Sequence, residues 1–315
     1  MLVTGGAGFI GSNIANTLKK QDSGCEVIAI DDLSLGVTSN LSDGIKFIQG
    51  SVMDRELVQH VTRGCEYVFH DAAKSSSPMF KNDPRIGIDV NVIGFMNIME
   101  AAKRNNIKKV IYASSSSIYN GLPMPFKESQ IVTPKTFYEA SFYCREVMAR
   151  SYYLENSLHC IGLRYFSVYG TNEKHKGKYA NNISQFLWDL SRGNSPVIYG
   201  DGNQTRDFTM VEDVVQANLL AMRSEKEFGI YNVGTGIQTS FNQVIEIINK
   251  KLGAEIKPTY INNPIKNYVQ DTLADISHIE SELHYKPTWT VDAGIDFLVK
   301  RLQEEEQQNL AANTG

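Results

Sequence analysis

Short apolar runs alternate with longer segments of helical periodicity along the first half of the chain. Strands that alternate with helices in this way predict a parallel sheet with helices on both faces. Several of the runs are continuously apolar, as strands covered on both sides require. The candidate strands are residues 1–4, 26–30, 45–49, 66–70, 109–114 and 159–166, and the helical patterns lie near residues 9–20, 54–61, 85–105 and 137–156.

The pattern loosens after residue 170, where loops rich in glycine, asparagine and lysine occur. Helical periodicity returns near residues 211–224, 240–252 and 290–308. We interpret this half as a smaller, partly irregular unit that packs on the C-terminal edge of the sheet. The chain is therefore predicted to be an α/β protein with a doubly wound parallel sheet and a smaller α/β subdomain.

The composition excludes several other classes of protein. The chain has 315 residues, which exceeds one compact core. Its net charge of −4 gives no basic surface for nucleic acid, and it has no apolar run of about 18 residues that could span a membrane. The first residues do not resemble a signal peptide, and the four cysteines form no CxxC pair. We therefore expect a cytoplasmic protein with reduced thiols and no metal site.

A glycine-rich turn follows the first strand. In "VTGGAGFIGS", Gly5, Gly8 and Gly11 lie between an apolar strand and an amphipathic helix. Glycines at this spacing let the backbone turn tightly and let a pyrophosphate approach the helix N-terminus. The second strand candidate is followed by Asp31, twenty residues beyond Gly11, where a carboxylate suits ribose hydroxyls and repels a 2′-phosphate. The pattern favours NAD over NADP, and the alternative is a plain strand–turn–helix.

Four motifs in order, "TGGAGFIGS", "ASSSSIY", "YEAS" and "RYFSVYG", resemble the extended short-chain dehydrogenase/reductase superfamily. "VFHDAA", "NVIGFMNIMEAA" and "YGDGNQTRDFTMVEDVV" narrow the resemblance to the UDP-glucose 4-epimerase-like nucleotide-sugar epimerases. The resemblance implies an NAD-binding Rossmann domain over residues 1–170, with a returning segment near 205–235. A nucleotide-sugar-binding subdomain is then expected over 171–204 and 236–315.

The resemblance also implies where NAD binds. Ser51 stands where the family has an aspartate that contacts adenine, so that hydrogen bond is expected to be weaker. The expected cofactor site comprises Gly5, Gly8, Phe9, Ile10, Gly11, Asp31, Asp32, Leu33, Ser34, Gly36, Ser51, Val52, Ala72, Ala73, Lys74, Asn91, Ser114, Tyr138, Phe142 and Phe166.

The family pattern assigns the chemistry to a hydroxyl pair. Ser115 aligns with the residue that hydrogen-bonds the reacting oxygen of the sugar, with Ser116 as the second choice, and Tyr138 aligns with the general acid/base. The implied reaction is oxidation of the sugar by NAD, rotation of the keto sugar and return of the hydride to the other face. Dehydratases of the family carry Asp and Glu where this chain has Ser116 and Ser117, which argues against dehydration.

Arg206 in "TRDF" is the strongest candidate for binding the diphosphate, because a guanidinium fork matches phosphate oxygens. The alternative is a surface ion pair with Asp207 or Glu212. A basic run, Lys174 to Lys178, could close over the diphosphate or be a solvated lid. Departures from the family pattern at Ser167 and Lys266 leave the sugar and nucleotide open, and ADP-heptose epimerases stay possible. The expected substrate site comprises Ser75, Ser115, Ser167, Asn182, Tyr199, Arg206 and Lys266.

One position conflicts with an active enzyme. Phe142 lies four residues after Tyr138, where the family has a lysine that contacts the nicotinamide ribose and lowers the tyrosine pKa. Loss of about three pKa units of activation would slow the reaction on the order of a thousandfold. Arg145 lies roughly 10 Å along the helix, too far for direct contact by axial distance. We expect slow or absent epimerisation that Phe142→Lys restores by at least about tenfold, or a redox-silent relative that binds NAD and nucleotide sugar.

Two helices carry more apolar residues than one sheet face can cover, which predicts a homodimer. In the family, the corresponding helices pair with those of a second subunit in a four-helix bundle. The alternative is that the sheet and the second half of the chain bury these residues. They are Val92, Phe95, Met96 and Met99 in segment 85–105, and Phe142, Tyr143, Val147 and Met148 in segment 137–156.

Overall fold

The computed structural model describes residues 1–22, 24–264 and 268–313. Its strands are β1 (Leu2–Thr4), β2 (Ile28–Asp31), β3 (Lys46–Gln49), β4 (Tyr67–His70), β5 (Lys109–Ser115), β6 (Cys160–Tyr165), β7 (Val168–Tyr169), β8 (Val197–Tyr199), β9 (Thr205–Arg206), β10 (Thr209–Met210), β11 (Phe228–Val233), β12 (Thr239–Ser240) and β13 (Thr259–Ile261). Its α-helices are α1 (Phe9–Gln21), α2 (Arg55–Val61), α3 (Pro84–Ile88), α4 (Gly94–Arg104), α5 (Phe137–Asn156), α6 (Asn182–Ser191), α7 (Val211–Arg223), α8 (Phe241–Leu252), α9 (Ser277–Leu283) and α10 (Val291–Asn313).

Seven of the described strands form one parallel sheet in the order β3-β2-β1-β4-β5-β6-β11. The order reverses beside β1, which lies between β2 and β4. In doubly wound sheets this reversal opens a crevice at the carboxyl ends of the strands, where ligands bind. The predicted α/β fold with a Rossmann-type sheet is confirmed.

The sheet is covered on both faces, as its apolar strands predict. Val3, Phe69 and Ile111 point to one face and pack in a core that includes residues of α1 and α7. Leu2, Val68 and other residues point to the opposite face, where α2, α4 and α5 contribute to a second core. Burial on both faces holds the strand ends in register, so the loops that follow them start from fixed positions.

The later part of the chain both returns to the sheet and builds a separate core. β11 pairs with β6 along its whole length, from Phe228 opposite Cys160 to Val233 opposite Tyr165. Helices α6, α8 and α10 surround a further apolar cluster that includes Phe186, Phe241 and Ile295. The division into an NAD-binding domain and a sugar-nucleotide subdomain at the expected boundaries stays a prediction.

The segment predicted as one helix over 85–105 is interrupted. Helix α3 runs into a π-helical turn over Asp89–Ile93 before α4 begins. The turn contains the fully buried Asn91, whose side-chain amide hydrogen-bonds the backbone N–H and C=O of Lys74 at 2.8 and 3.2 Å. Such π turns occur frequently at functional sites.

Across the described ranges, no helix combines the length and apolarity needed to cross a membrane.

Candidate active site

A cleft of about 390 Å³ lies along the carboxyl edge of the sheet. Its wall is formed by the loops that follow β1, β2, β4 and β5, together with the start of α5 and parts of the later half of the chain. The volume lies within the usual range for a small-molecule site.

The turn after β1 forms one end of the cleft. Gly5 has φ of +65°, a conformation that favours glycine, and a Cβ atom on Gly11 would lie 2.2 Å from the Gly5 carbonyl oxygen. Helix α1 then starts beside the cleft, and no side chain caps its first turn. Its free N–H groups and the positive end of its dipole therefore suit a pyrophosphate.

Asp31 closes the same end from β2. Its carboxylate accepts hydrogen bonds from the backbone N–H of Ala7 at 3.1 Å and of Leu33 at 2.8 Å. Burial raises the pKa of Asp31, which is only 8% exposed, and these backbone donors counteract the rise. The carboxylate is thus tied to the glycine turn and still borders the cleft, where two adjacent ribose hydroxyls can reach it.

Lys74 links two walls of the cleft. Its ammonium donates a hydrogen bond of 3.0 Å to the hydroxyl of Ser34, in the loop after β2. The buried Asn91 holds the backbone of Lys74 and also donates to the Ser141 hydroxyl on α5 at 3.0 Å. Asn91 therefore positions the loop after β4 and does not itself line the cleft.

The hydroxyl pair of Ser115 and Tyr138 also lines the cleft. Ser115 ends β5, and its Oγ is 3.3 Å from the phenol oxygen of Tyr138 and 2.8 Å from the hydroxyl of Ser117. The Tyr138 hydroxyl also lies 3.3 Å from the carbonyl oxygen of Ser75. The pKa of Tyr138 is raised above its ordinary value, because desolvation outweighs the hydrogen bond from Ser115 and the charge of Arg145, which both lower it.

The start of α5 fixes Tyr138. Thr136 accepts a hydrogen bond from the Glu139 N–H at 3.2 Å, and the Glu139 carboxylate accepts one from the Thr136 N–H at 3.2 Å. This reciprocal cap sets the first turn of the helix, which carries the phenol. One turn later Phe142 is 3% exposed and packs edge-to-face on Tyr138, with 5.1 Å between ring centroids. The chain therefore has no ammonium group at position 142, where the family has a lysine.

Arg206, from the later half of the chain, also lines the cleft. Its guanidinium donates to the backbone carbonyls of Thr205, Val269 and Gln270 at 2.6–2.8 Å and stacks on Phe241 and Tyr268. Its described hydrogen bonds thus go to carbonyls, and neither Asp207 nor Glu212 forms the ion pair considered as an alternative. Asp207 instead accepts hydrogen bonds from Thr235, Gly236 and Ala274.

Most of the predicted cofactor residues meet in this cleft. Three of them do not line it: Leu33, Asn91 and Phe166. The backbone N–H of Leu33 donates to the Asp31 carboxylate, and Phe166 is fully buried against Tyr119 and Phe126. Those that line it are Gly5, Gly8, Phe9, Ile10, Gly11, Asp31, Asp32, Ser34, Gly36, Ser51, Val52, Ala72, Ala73, Lys74, Ser114, Tyr138 and Phe142.

The predicted substrate residues meet only in part. Ser75, Ser115, Ser167 and Arg206 line the cleft, as does Ser116, the second choice for the catalytic hydroxyl. Asn182 and Tyr199 do not, and Lys266 lies outside the described residues. Asn181 takes the place expected for Asn182, because it is the N-cap of α6 and not its first helical residue.

Lys176 is a cleft residue that the basic run alone did not single out. Its ammonium lies 5.4 Å above the ring of Phe9 and 3.9 Å from the buried carboxylate of Glu173. Its neighbours Lys174, His175 and Lys178 do not line the cleft. A run of charges shows that a loop is basic but not which of its side chains points inward.

A sequence model of the NAD dependent epimerase/dehydratase family matches residues 1–234. The chain belongs to this family. It is 34% identical over 310 residues to a putative UDP-glucose 4-epimerase of Methanocaldococcus jannaschii, covering 98% of this chain and 99% of that protein. The UDP-glucose 4-epimerase of Thermotoga maritima, solved with UDP-glucose, has a TM-score of 0.91 at 31% identity, with 96% and 98% covered. The ADP-L-glycero-D-manno-heptose-6-epimerase of Helicobacter pylori has a TM-score of 0.87 at 31% identity, with 96% and 95% covered.

Membership in the epimerase/dehydratase family confirms the resemblance that the motifs indicated and makes NAD the cofactor. The cleft fits that cofactor on its own geometry. The close approach of Gly5 and Gly11 leaves the uncapped N-terminus of α1 open to a pyrophosphate, and Asp31 borders the same end.

Proposed function

We propose that the protein is an NAD-dependent nucleotide-sugar epimerase that inverts C4 of a UDP-hexose or a derivative. The observation that carries the proposal is the pair of hydroxyls of Ser115 and Tyr138, 3.3 Å apart, in the same cleft as the glycine turn and Asp31. A sugar hydroxyl between the pair and the cofactor end of the cleft would meet both groups. The UDP-sugar names of the relatives support the substrate class.

The residues of the chain would bind the substrate and move one proton. NAD, when bound, supplies the hydride acceptor and returns the hydride. The phenol oxygen of Tyr138 would take the proton of the sugar hydroxyl and give it back after the sugar has turned. Ser115 would hold the reacting oxygen, and Arg206 would bind the diphosphate through the guanidinium N–H groups that do not donate to the carbonyls of Thr205, Val269 and Gln270. Lys176, at the cleft wall, adds a second cation for the phosphates.

The serine cluster supports epimerisation over dehydration. Elimination of water needs an acid beside the reacting hydroxyl, and the two cleft residues that follow Ser115 in the chain, Ser116 and Ser117, carry hydroxyls and no carboxyl group. The Ser117 hydroxyl is engaged with Ser115 at 2.8 Å. A hydroxyl with an ordinary high pKa is a poor general acid near neutral pH.

A second function is favoured by one observation, the buried Phe142 beside the phenol. A relative without redox activity would bind NAD and a nucleotide sugar and convert neither. Such a protein would retain the glycine turn, Asp31 and Arg206 while losing only the proton transfer.

A substrate panel tests the proposed function. The protein is incubated with NAD and, separately, UDP-glucose, UDP-galactose, their N-acetyl forms, UDP-glucuronate and an ADP-heptose, and epimers are separated by chromatography. Conversion of a UDP-sugar to its C4 epimer supports the proposal, and Tyr138→Phe should abolish it. Conversion of the ADP-heptose alone would move the reaction to another carbon. Calorimetric binding of NAD and a UDP-sugar without any epimer would establish the silent relative.

We also propose that the protein forms a homodimer through α4 and α5. Phe95, Met99 and Phe142 turn out to be buried within the chain, so the expected patch is smaller than the sequence indicated. The large apolar side chains that stay exposed on α3, the π turn, α4 and α5 are Ile86 (55%), Ile93 (38%), Met96 (37%), Phe137 (60%), Val147 (50%) and Leu154 (67%). Ile93 and Met96 are three positions apart and Val147 and Leu154 are seven apart, so each pair shares a helix face and supports an apolar surface on both helices.

Light scattering tests the dimer. The wild-type mass should be twice that of the chain at micromolar concentration, and Val147→Asp combined with Leu154→Asp should halve it, because charges on a buried apolar contact are unfavourable. Ile237→Asp, at a position 60% exposed in the later half of the chain, serves as the matched control. A wild-type monomer would refute the proposal.

A further inference from the structure

Helix α5 places a buried cation beneath the hydroxyl pair. Arg145 is 0% exposed, and the central carbon of its guanidinium lies 4.9 Å from the centre of the Phe142 ring. Phe142 also packs edge-to-face on Tyr138, with 5.1 Å between ring centroids. The phenol, the phenyl ring and the guanidinium therefore form one contiguous group on a single helix face.

The side chain of Arg145 reaches this place because side chains on an α-helix point back toward its N-terminus. The axial separation of about 10 Å between Tyr138 and Arg145 is a distance along the backbone. Because the Arg145 side chain extends back over the preceding turn, its guanidinium lies closer to Tyr138 than its backbone does. Axial distance along the helix therefore does not exclude an effect of the Arg145 charge on Tyr138.

Three backbone carbonyls hold the guanidinium in position. Nε donates to Asn91 at 2.7 Å, Nη2 to Ala72 at 2.9 Å and Nη1 to Ala113 at 3.3 Å. Ala72 and Ala113 line the cleft, so the cation lies directly behind its wall. Within the described part of the chain, its hydrogen-bond acceptors are neutral carbonyls, and no carboxylate there cancels its charge through a hydrogen bond.

The charged and titratable groups around this cation come from several elements. Asp71, after β4, is raised to a pKa of about 7 by burial and accepts a hydrogen bond from Tyr165 of β6, so it cancels the charge only in part near neutral pH. His70 of β4 has a pKa lowered by burial and by Arg145, and it is neutral. Tyr112 of β5 has a pKa raised well above its ordinary value by burial and is neutral too. On α5 itself, Glu139 faces Tyr138 and opposes its ionisation.

Arg145 retains its charge in this setting. Desolvation lowers the pKa of the guanidinium to about 10, which still leaves it protonated near neutral pH. A buried charge in a medium of low polarity acts over longer distances than one in water. The cation behind the Phe142 ring therefore favours the phenolate of Tyr138 and offsets part of the rise in pKa that desolvation causes.

We propose that Arg145 takes over the electrostatic role of the absent lysine and promotes the ionisation of Tyr138 from beneath Phe142. Arg145 is a positioning residue, since it acts on Tyr138 and does not contact the cleft. The inference rests on the proposed epimerase function for its purpose, but the ionisation of Tyr138 can be measured without turnover. It predicts that the site is active, in contrast to the impairment expected from Phe142 alone.

The test follows the ionisation of Tyr138 by NMR in protein labelled with ¹³C at the tyrosine ζ carbon and saturated with NAD. Tyr138→Phe assigns the resonance. Arg145→Met should raise the pKa of Tyr138 by about one unit or more, and the ascending limb of the epimerisation rate, which reports the ionisation of this base, should shift to higher pH with it. Arg145→Lys, which retains the charge, should leave both within roughly half a unit. An unchanged Tyr138 pKa in folded Arg145→Met overturns the proposal.

A charge exchange separates this role from a structural one. In Arg145→Met with Phe142→Lys, the cation returns to the position the family uses, and the Tyr138 pKa should fall back to its wild-type value. A Tyr138 pKa that stays in the double variant at the raised value of Arg145→Met means that a cation beside the phenol does not set its ionisation, and it overturns the proposal.

Folding is controlled by near-ultraviolet circular dichroism. If Arg145→Met does not fold, Arg145→Gln replaces it, because an amide still donates to the backbone carbonyls. If neither folds, the wild-type protein decides: a Tyr138 pKa below about 9 with NAD bound supports the proposal, and a value at or above about 9 overturns it. If the Tyr138 pKa changes on substitution of Arg145 but no epimer forms, the proposed reaction is refuted and the inference stands. If an epimer forms but the Tyr138 pKa does not change, the inference is refuted and the proposed reaction stands.

Discussion

Replacing Asp31 by alanine should remove the preference for NAD over NADP. The carboxylate ends β2 at the cofactor end of the cleft and is the one charged group we assign to the ribose hydroxyls. Hydrogen bonds to an ionised group contribute about 1.5–3 kcal/mol each. Loss of one such bond corresponds to roughly 10- to 100-fold weaker NAD binding. Relief of the repulsion from a 2′-phosphate should strengthen NADP binding at the same time.

The same substitution has a separate cost in stability. Asp31 accepts the backbone N–H groups of Ala7 and Leu33, and the Ala7 interaction is buried. Leaving a buried donor unpaired costs about 1–3 kcal/mol. Asp31→Asn retains an oxygen acceptor, so it should restore part of the lost stability while still weakening NAD binding. The two effects can therefore be separated by comparing the two variants.

Calorimetric titration of both cofactors into wild type, Asp31→Ala and Asp31→Asn provides the measurement, with thermal melting as the check on folding. Asp22→Ala is the matched control, because Asp22 also accepts a backbone N–H, that of Gly24, at an exposed position outside the cleft. It should change neither affinity. Equal affinity of the wild type for NAD and NADP, or an unchanged preference in Asp31→Ala, would refute the assignment of Asp31.

Three further predictions follow from buried charges. Glu146→Gln breaks an ion pair of 2.6 Å with Arg164, and both side chains are no more than 5% exposed. Chemical denaturation should show that the free energy of unfolding falls by about 3–5 kcal/mol. Glu66→Gln, which breaks an exposed ion pair with Lys108, should change stability little. Arg206→Met should weaken UDP-sugar binding roughly 10- to 100-fold in calorimetry with NAD affinity unchanged. Asp71 has a folded pKa raised to about 7 from 3.8, so the wild type loses stability as pH rises between these values. The stability of Asp71→Asn relative to wild type should therefore rise by about 1.4 kcal/mol per pH unit across that range, and a constant difference would contradict the shift.

The sheet was predictable because its signals are local. The six candidate strands each coincide with a strand of the sheet, and apolar runs of this length between helical patterns leave few alternatives. β11 was expected only as a returning segment, because its pairing with β6 joins residues far apart in sequence. The π turn over Asp89–Ile93 was not predicted either, since it depends on the contact of Asn91 with the loop of Lys74.

The cofactor end of the cleft could also be predicted from local sequence. The glycine turn and Asp31 lie at the ends of predicted strands, and their positions depend on the backbone near them. The rest of the site depends on where long side chains end. Arg145 and Lys176 reach the cleft wall through their side-chain length and through packing on Phe142 and Phe9. Spacing along a helix or a count of charges does not contain that information.

The fate of the hydrogen at C4 of the sugar tests the proposed reaction most directly. The protein with NAD is incubated with UDP-glucose that carries deuterium at C4, and the UDP-galactose formed is analysed by mass spectrometry and NMR. Transient oxidation by a bound cofactor, with Tyr138 moving only the hydroxyl proton, predicts an epimer that retains the deuterium at C4. Formation of an epimer that has exchanged this deuterium for solvent hydrogen would contradict the mechanism. A protein that forms no epimer from any nucleotide sugar of the substrate panel would contradict the function.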